Sequence, residues 1–256
     1  MSRATRIGSG IGVALGVVVI AACGVILLQL TSVEPAPEAT TATRGPAPAA
    51  ARPSAAGNGA GGTAGPSGAT ARAIDAAWLE RTAAATGIPP RALAAYAAAD
   101  LVVSAEQPSC GIGWNTLAGI GSIESDHGRH GGAVLGPDGR PDPPIRGPQL
   151  DGVGVMAIPD TDGGSWDGDV VWDRAVGPMQ FIPETWRRWG ADADGDGIAD
   201  PNQIDDAALT AARYLCAAGP LSSPGGWRRA ILSYNDLEQY ADDVARAANG
   251  YAAAAG

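Results

Sequence analysis

The chain is short of positive charge, of cysteine and of strand-like patterning. Its 256 residues carry 17 Lys and Arg against 27 Asp and Glu, a net charge of −10. No basic stripe breaks that acidic balance, which argues against nucleic acid as a partner. No run of alternating apolar and polar residues is convincing, so any sheet should be small. From Glu34 to about Arg72 large apolar side chains are almost missing, and Ala, Pro, Gly, Thr and Ser take their place. Such a segment buries too little surface to offset its ordering entropy, so residues 34–72 are expected to be a disordered linker. All seven tryptophans lie beyond it, starting at Trp78.

What is there begins with an uncharged apolar run from Ile11 to Leu30, preceded by Arg3 and Arg6. The run is long enough to cross a hydrocarbon core of ~30 Å as a helix. Positive charge before it and none directly after it place the N-terminus in the cytoplasm. Residues 1–33 therefore read as a cytoplasmic tip and single-pass signal anchor, with residues 73–256 on the outer face of the cell membrane. Ile20-Ala21-Ala22-Cys23 offers a second reading, a lipoprotein anchored at Cys23, although the chain stays apolar after that cysteine. Cys110 and Cys216 are the remaining thiols. In an oxidising compartment they admit one disulfide, the alternative being two separate buried thiols.

The exported part reads as mainly α and as one domain. Ile74 to Thr86 is an Ala-rich helix stopped by Gly87, and Pro89-Pro90 opens a second one carrying Leu93, Tyr96, Ala97, Asp100 and Leu101. A third holds Glu124 and ends near Gly128. Pro183 starts a short helix, and Asp205-Asp206 start another that stops at Gly219. Trp227 to Tyr234 and Leu237 to Ala248 complete the set. Between His130 and Arg174, Gly, Pro and Asp are abundant. A loop of that length inside a domain is functional or disordered. Val153 to Ile158 and Trp166 to Trp172 are apolar enough to anchor it as the wall of a cleft.

Leu117-Ala118-Gly119-Ile120-Gly121-Ser122-Ile123-Glu124 is the segment with the clearest chemistry. Leu117 and Ile120 lie seven and four residues before Glu124, so the three share a face at helical spacing. A carboxyl held against apolar neighbours loses hydration, and its pKa rises. It can then keep a proton near neutral pH and deliver it to a leaving group. Gly119 and Gly121 weaken the helix, which suggests close approach of another backbone or a ligand. Asp126, two residues on, points elsewhere. His127 shares the face of Glu124 and is read as a helix-end residue facing water. Asp167, Asp169 and Asp173 are placed near Glu124 only if tertiary folding brings them there.

Together with Gly177-Pro178-Met179-Gln180-Phe181-Ile182-Pro183 and Ser233-Tyr234-Asn235, this segment resembles the membrane-bound type B lytic murein transglycosylases, in an actinobacterial style of exported protein. The resemblance implies a lysozyme-like fold and cleavage of the β-1,4 bond between N-acetylmuramic acid and N-acetylglucosamine in peptidoglycan. It implies a 1,6-anhydro product and Glu124 as the sole catalytic acid/base. It assigns substrate binding to Ser122, Met179, Gln180, Phe181, Tyr234 and Asn235, with the Tyr234-Asn235 pair reaching towards Glu124. No cofactor is implied for the chemistry, and the expected partners are glycan strands and the membrane, with the chain a monomer. Two rivals remain: a hydrolysing muramidase using Glu124 with a distal Asp, and a non-catalytic cell-wall binding module.

Asp192, Asp194, Asp196 and Asp200 occupy positions 1, 3, 5 and 9 of a loop with Gly197 at position 6, the spacing of a helix–loop–helix calcium site. Ile198 stands at the position that offers a backbone carbonyl. Gln203 replaces the usual Glu at position 12, and the resemblance puts the last acidic ligand at Asp206. A self-repelling turn that binds nothing is the alternative. Among the tryptophans, Trp114, Trp186 and Trp227 read as core, and Trp166 and Trp172 as candidates for stacking on sugars.

Overall fold

The computed structural model describes residues 74–256. The expected anchor at 1–33, the linker at 34–72 and Cys23 lie outside the described residues. Helix α1 (Ala76–Thr86) starts where Asp75 accepts a hydrogen bond from the Trp78 amide at 2.6 Å, and it ends at Gly87 with φ 72°. Only a residue without a Cβ takes that left-handed cap at no cost. Helix α2 (Pro90–Glu106) opens with a proline, whose missing N–H would have had no partner in the first turn anyway.

Helix α3 (Trp114–Ser125) has no cap of its own, because Gly113 precedes it. The buried Asp100 carboxylate of α2 supplies one, accepting the Trp114 amide at 2.9 Å and the Ser104 hydroxyl at 3.0 Å. A carboxylate at the positive end of a helix is favoured by the helix dipole. Helices α4 (Pro183–Trp189), α5 (Ile204–Ala217), α6 (Pro224–Tyr234) and α7 (Glu238–Ala255) follow. The last runs seven residues beyond the expected Ala248, on a continuing apolar stripe through Ala252.

The described residues thus form a mainly α structure of seven helices. A one-turn 3₁₀ helix (His130–Gly132) and four short strands complete it: β1 (Val134–Leu135), β2 (Pro141–Asp142), β3 (Arg146–Gln149) and β4 (Arg174–Val176). The strands pair antiparallel as β1 with β2 and β3 with β4, in two separate sheets. Helix α3 packs most extensively on α7 and α2 packs on α5. The core joins Trp114, Leu117 and Ile120 of α3 to Tyr96, Met179, Leu209, Leu215 and Trp227. Trp114, Trp186 and Trp227 are buried there, as their spacing predicts.

Both glycines of α3 are sites of close approach. A Cβ on Gly119 would stand 3.0 Å from the Val244 carbonyl and 3.3 Å from the Ala248 Cβ, both in α7. A Cβ on Gly121 would overlap the Tyr96 hydroxyl. Cys110 and Cys216 form a disulfide that joins the α2–α3 connection to the end of α5. It closes a sequence separation of 106 residues, which stabilises the fold by about 4–5 kcal/mol on the chain-entropy account. Among the described residues no helix is long and apolar enough to cross a membrane.

The segment between His130 and Arg174 is ordered by its aspartates. Asp160 accepts three successive amides, those of Asp162, Gly163 and Gly164, and Asp162 accepts those of Gly164 and Trp166. Short polar side chains that bond nearby amides are what make such sequences turn. Trp166 packs on the core. The expectation that Val153 to Ile158 anchors the segment needs correction, because Val153 is 82% exposed and Met156 44%. Backbone pairing holds this part instead: the Ile158 amide bonds the Leu150 carbonyl, and its carbonyl accepts the Asp173 amide.

Candidate active site

Glu124 sits in the last turn of α3 and is half-buried. Part of the residue is exposed while its carboxyl is crowded by protein. The Tyr240 hydroxyl of α7 donates to Glu124 Oε1 at 2.6 Å. Burial pushes the carboxyl up to about 7, and the tyrosine hydrogen bond, which favours the charged form, pulls it part of the way back. Near neutral pH such a group holds a proton loosely enough to give it and to take it back. Burial and the charge of Glu124 push Tyr240 and Tyr234 well above the ordinary phenol value, so both remain neutral.

Tyr240 was not anticipated in the sequence, and a signal for it existed. Tyr240, Val244, Ala248 and Ala252 recur at four-residue spacing on the buried stripe of α7. A tyrosine on such a stripe needs a partner for its hydroxyl. Tyr234 was expected to reach Glu124. Its buried hydroxyl donates instead to the Met179 carbonyl at 2.7 Å, so it holds the turn that follows Gly177. Asn235 is also buried, and its Oδ1 accepts the Leu237 amide at 3.2 Å, fixing the entry to α7.

Met179 and Phe181 have buried side chains. Phe181 meets the rings of Trp186 and Tyr234 edge-on. Their side chains are packing elements beneath the site rather than groups on its surface. Gln180 between them is half-buried, with φ 51° and its Nε2 donating to the Gly177 carbonyl at 2.9 Å. A side chain in the left-handed region is uncommon outside glycine, asparagine and aspartate, and such backbones gather at functional sites. Ser122 is half-buried one turn before Asp126, and its carbonyl accepts the Asp126 amide. Ser125, beside Glu124, donates to the Pro178 carbonyl at 2.6 Å and accepts the Gly128 amide at 2.8 Å. The end of α3 and the Gly177–Gln180 turn are thereby bonded together.

The three aspartates that tertiary folding was asked to place serve the wall itself. Asp167 accepts the amides of Asp169 and Arg174, Asp169 bonds Gln149 and Arg174, and Asp173 accepts from Thr161 twice. Among the described residues no second carboxylate shares a hydrogen bond with Glu124. Asp126 is exposed and pairs with Arg129. His127 was expected to face water, and this is corrected: it is 2% exposed, with Tyr96 and Tyr251 on either side.

In the aspartate-rich loop, Asp192, Asp194 and Asp196 bring one carboxylate oxygen each within 4.8 Å of the others, close enough that they could hold a cation together. Asp206 is not gathered with them. Its Oδ1 accepts the amides of Ala193 and Asp194 at 2.6 and 3.3 Å, and its Oδ2 accepts that of Asp200 at 2.9 Å. The expected ligand at Asp206 is thus a buried clasp for the loop, raised to about 7 by burial. Asp200 and Asp196 bond Arg140, and the Ile198 side chain stands exposed.

Residues 158–227 match the family described as Transglycosylase SLT domain. The match runs from the wall through the Met179–Gln180 turn, α4 and α5 to Trp227, and leaves Glu124 and Tyr240 outside it. The protein is thus a mainly helical one with a transglycosylase-like segment. Among solved structures it is similar to SltB3 from Pseudomonas aeruginosa, seen in complex with NAG-anhNAM-pentapeptide, at 18% sequence identity and a TM-score of 0.38. That likeness covers 68% of this chain and 66% of the other, so the chain spans slightly less than two thirds of its length. Among curated proteins none matches.

Proposed function

We propose that this protein is a lytic transglycosylase of peptidoglycan with a lysozyme-like fold, and that Glu124 is its acid and its base in turn. The observation that carries the reading is the half-buried Glu124 carboxyl, poised near 7 and held by the Tyr240 hydroxyl. The transglycosylase-like segment at 158–227 supports the substrate class.

Protonated Glu124 gives its proton to the oxygen joining N-acetylmuramic acid C1 to N-acetylglucosamine. The C1–O bond breaks, the electron pair stays on the leaving oxygen, and positive charge develops at C1. The N-acetyl oxygen of the muramyl sugar stabilises that centre. The Glu124 carboxylate then removes the proton of the muramyl 6-hydroxyl as its oxygen bonds to C1, which yields the 1,6-anhydro sugar and returns Glu124 protonated. Glycosidases that use water employ two carboxyl groups. An intramolecular acceptor needs no separately activated water, so one suffices. The engagement of Asp167, Asp169 and Asp173 within the wall supports the one-carboxyl scheme over a muramidase.

The Cys110–Cys216 disulfide supports an exported location, with the 11–30 segment as tether. The loop carrying Asp192, Asp194 and Asp196 suits a hard cation such as calcium in a structural role. Mass spectrometry of digested peptidoglycan tests the activity. Anhydro-muramyl ends are expected, and products carrying only reducing ends would overturn the proposal.

A further inference from the structure

His127 occupies a position that the cleavage scheme leaves unexplained. It follows α3 with φ 58°, is 2% exposed and lies three residues beyond Glu124. Its Nδ1 is 3.3 Å from the Tyr96 hydroxyl of α2, and its Nε2 is 2.9 Å from the Tyr251 hydroxyl of α7. Both rings flank the imidazole, with centroids 5.8 and 5.7 Å away. A neutral imidazole has one donor and one acceptor, so it can satisfy two hydroxyls at once. The Tyr96 hydroxyl, in turn, sits over the bare backbone of Gly121.

Tyr240 and Tyr251 are both on α7, eleven residues apart, which is close to three full turns, so they project from nearly the same face. The contact of Gly119 with Val244 and Ala248 sets how near α7 comes to α3. A contact between a bare glycine and small groups resists approach but does little to fix rotation about the helix axis. The two tyrosine hydroxyls fix that rotation, one on Glu124 and one on His127. We propose that His127 is a positioning residue: by bridging Tyr96 of α2 to Tyr251 of α7 it locks the rotation of α7 that keeps the Tyr240 hydroxyl on Glu124. Its relevance to catalysis rests on the function proposed for Glu124, but the coupling itself does not.

The test titrates Glu124 without substrate, by carbon-13 NMR of the full chain labelled at glutamate carboxyls, with Glu124→Gln identifying the resonance. The groups facing Glu124 are Tyr240 and Tyr234, and those facing His127 are Tyr96, Tyr251, Arg129 and Asp126. Tyr240→Phe removes a bond that favours the carboxylate, and is expected to raise the midpoint by roughly half to one pH unit. His127→Phe is expected to raise it in the same direction. His127→Gln, which keeps a donor and an acceptor, is expected to leave it at the wild-type value. A merely structural histidine would lower the melting temperature without moving this midpoint. An unchanged midpoint in His127→Phe or in Tyr240→Phe overturns the proposal, as does a shift in His127→Gln equal to that in His127→Phe. Should His127→Phe fail to fold, Tyr251→Phe decides in its place by the same reading. Failure of the wild-type protein to cleave glycan would sink the proposed function and leave this titration decisive for the coupling.

Discussion

The Tyr240 hydroxyl donates to Glu124 Oε1 at 2.6 Å across 116 residues of chain, from the first turn of α7 to the last turn of α3. This bond makes Glu124 more than a carboxyl in an apolar setting. Burial alone would press it to stay protonated, whereas a reagent that must also act as a base needs its anion stabilised. The tyrosine supplies that stabilisation and cannot compete for the proton, because its own ionisation is pushed far upward.

The first prediction concerns the dependence of activity on pH. In the proposed scheme the first step needs protonated Glu124, so kcat/KM on glycan strands is expected to fall as pH rises through about 7. Glu124→Gln is expected to lower the rate by roughly 10²–10⁴-fold below pH 7 and to abolish the fall with pH. A pH–rate profile of the wild type and an assay of the variant measure both, and unchanged cleavage by Glu124→Gln removes the assignment.

The second concerns stability. A carboxyl with a folded pKa near 7, above its unfolded value of 4.5, contributes stability that is present below 4.5 and lost as pH rises through 7. Glu124→Gln is therefore expected to be more stable than the wild type at pH 8, by up to about 3 kcal/mol, and close to it at pH 4. Chemical denaturation at the two pH values gives the difference. Equal differences at both would show that Glu124 ionises normally.

Much of this architecture was legible in the sequence. The stop at Gly87 and the start at Pro90 are local signals, and they placed the bounds of α1 and the start of α2 within two residues of where they lie. The close approaches at Gly119 and Gly121 also follow from glycines in an otherwise apolar helix. Partners remote in the chain were harder to read. Nothing near Glu124 distinguishes Tyr240 from Tyr234, because the choice depends on the kink at Asn235 between α6 and α7, which turns one hydroxyl to Met179 and the other to the carboxylate. His127 was misplaced because a histidine after a helix is ordinarily solvated. Its burial depends on Tyr251, over a hundred residues away and beyond the expected end of α7.

The third prediction follows from that histidine. Burial lowers His127 to about 4, the nearby Arg129 charge adding to the effect. Its contribution to stability is full above 6.5 and lost as pH falls towards 4, because the unfolded chain takes up the proton first. The stability gap between wild type and His127→Phe should therefore narrow on acidification across that window. Asp206 has the opposite sign and is common to both proteins, and Glu124 stays protonated in both folded states across this window even where its midpoint is raised, so neither distorts the comparison. A gap independent of pH would mean that His127 takes up its proton as readily in the folded chain as in the unfolded one.

The last prediction concerns the aspartate loop, where clasp and cradle are separable. Asp206 holds three backbone amides from a fully buried position, so Asp206→Ala is expected to cost about 3 kcal/mol, with or without calcium. Asp194→Ala should cost little by itself, since its carboxylate accepts an exposed amide and its own amide bond to Asp206 survives the substitution. If the Asp192–Asp194–Asp196 cluster binds calcium, the cation should raise the melting temperature of stripped wild type and leave Asp194→Ala where it was. Asp206 adds a signature of its own. Its carboxyl, raised to about 7, withdraws stability as pH rises through that value, and a bound dication close by would lower its pKa and remove the loss. Thermal melts at pH 6 and 8, with calcium and with a chelator, should therefore show a larger calcium effect at pH 8. No effect at either pH would identify the loop as a turn held without a cation, by Asp206, Arg140 and the amides its own aspartates accept.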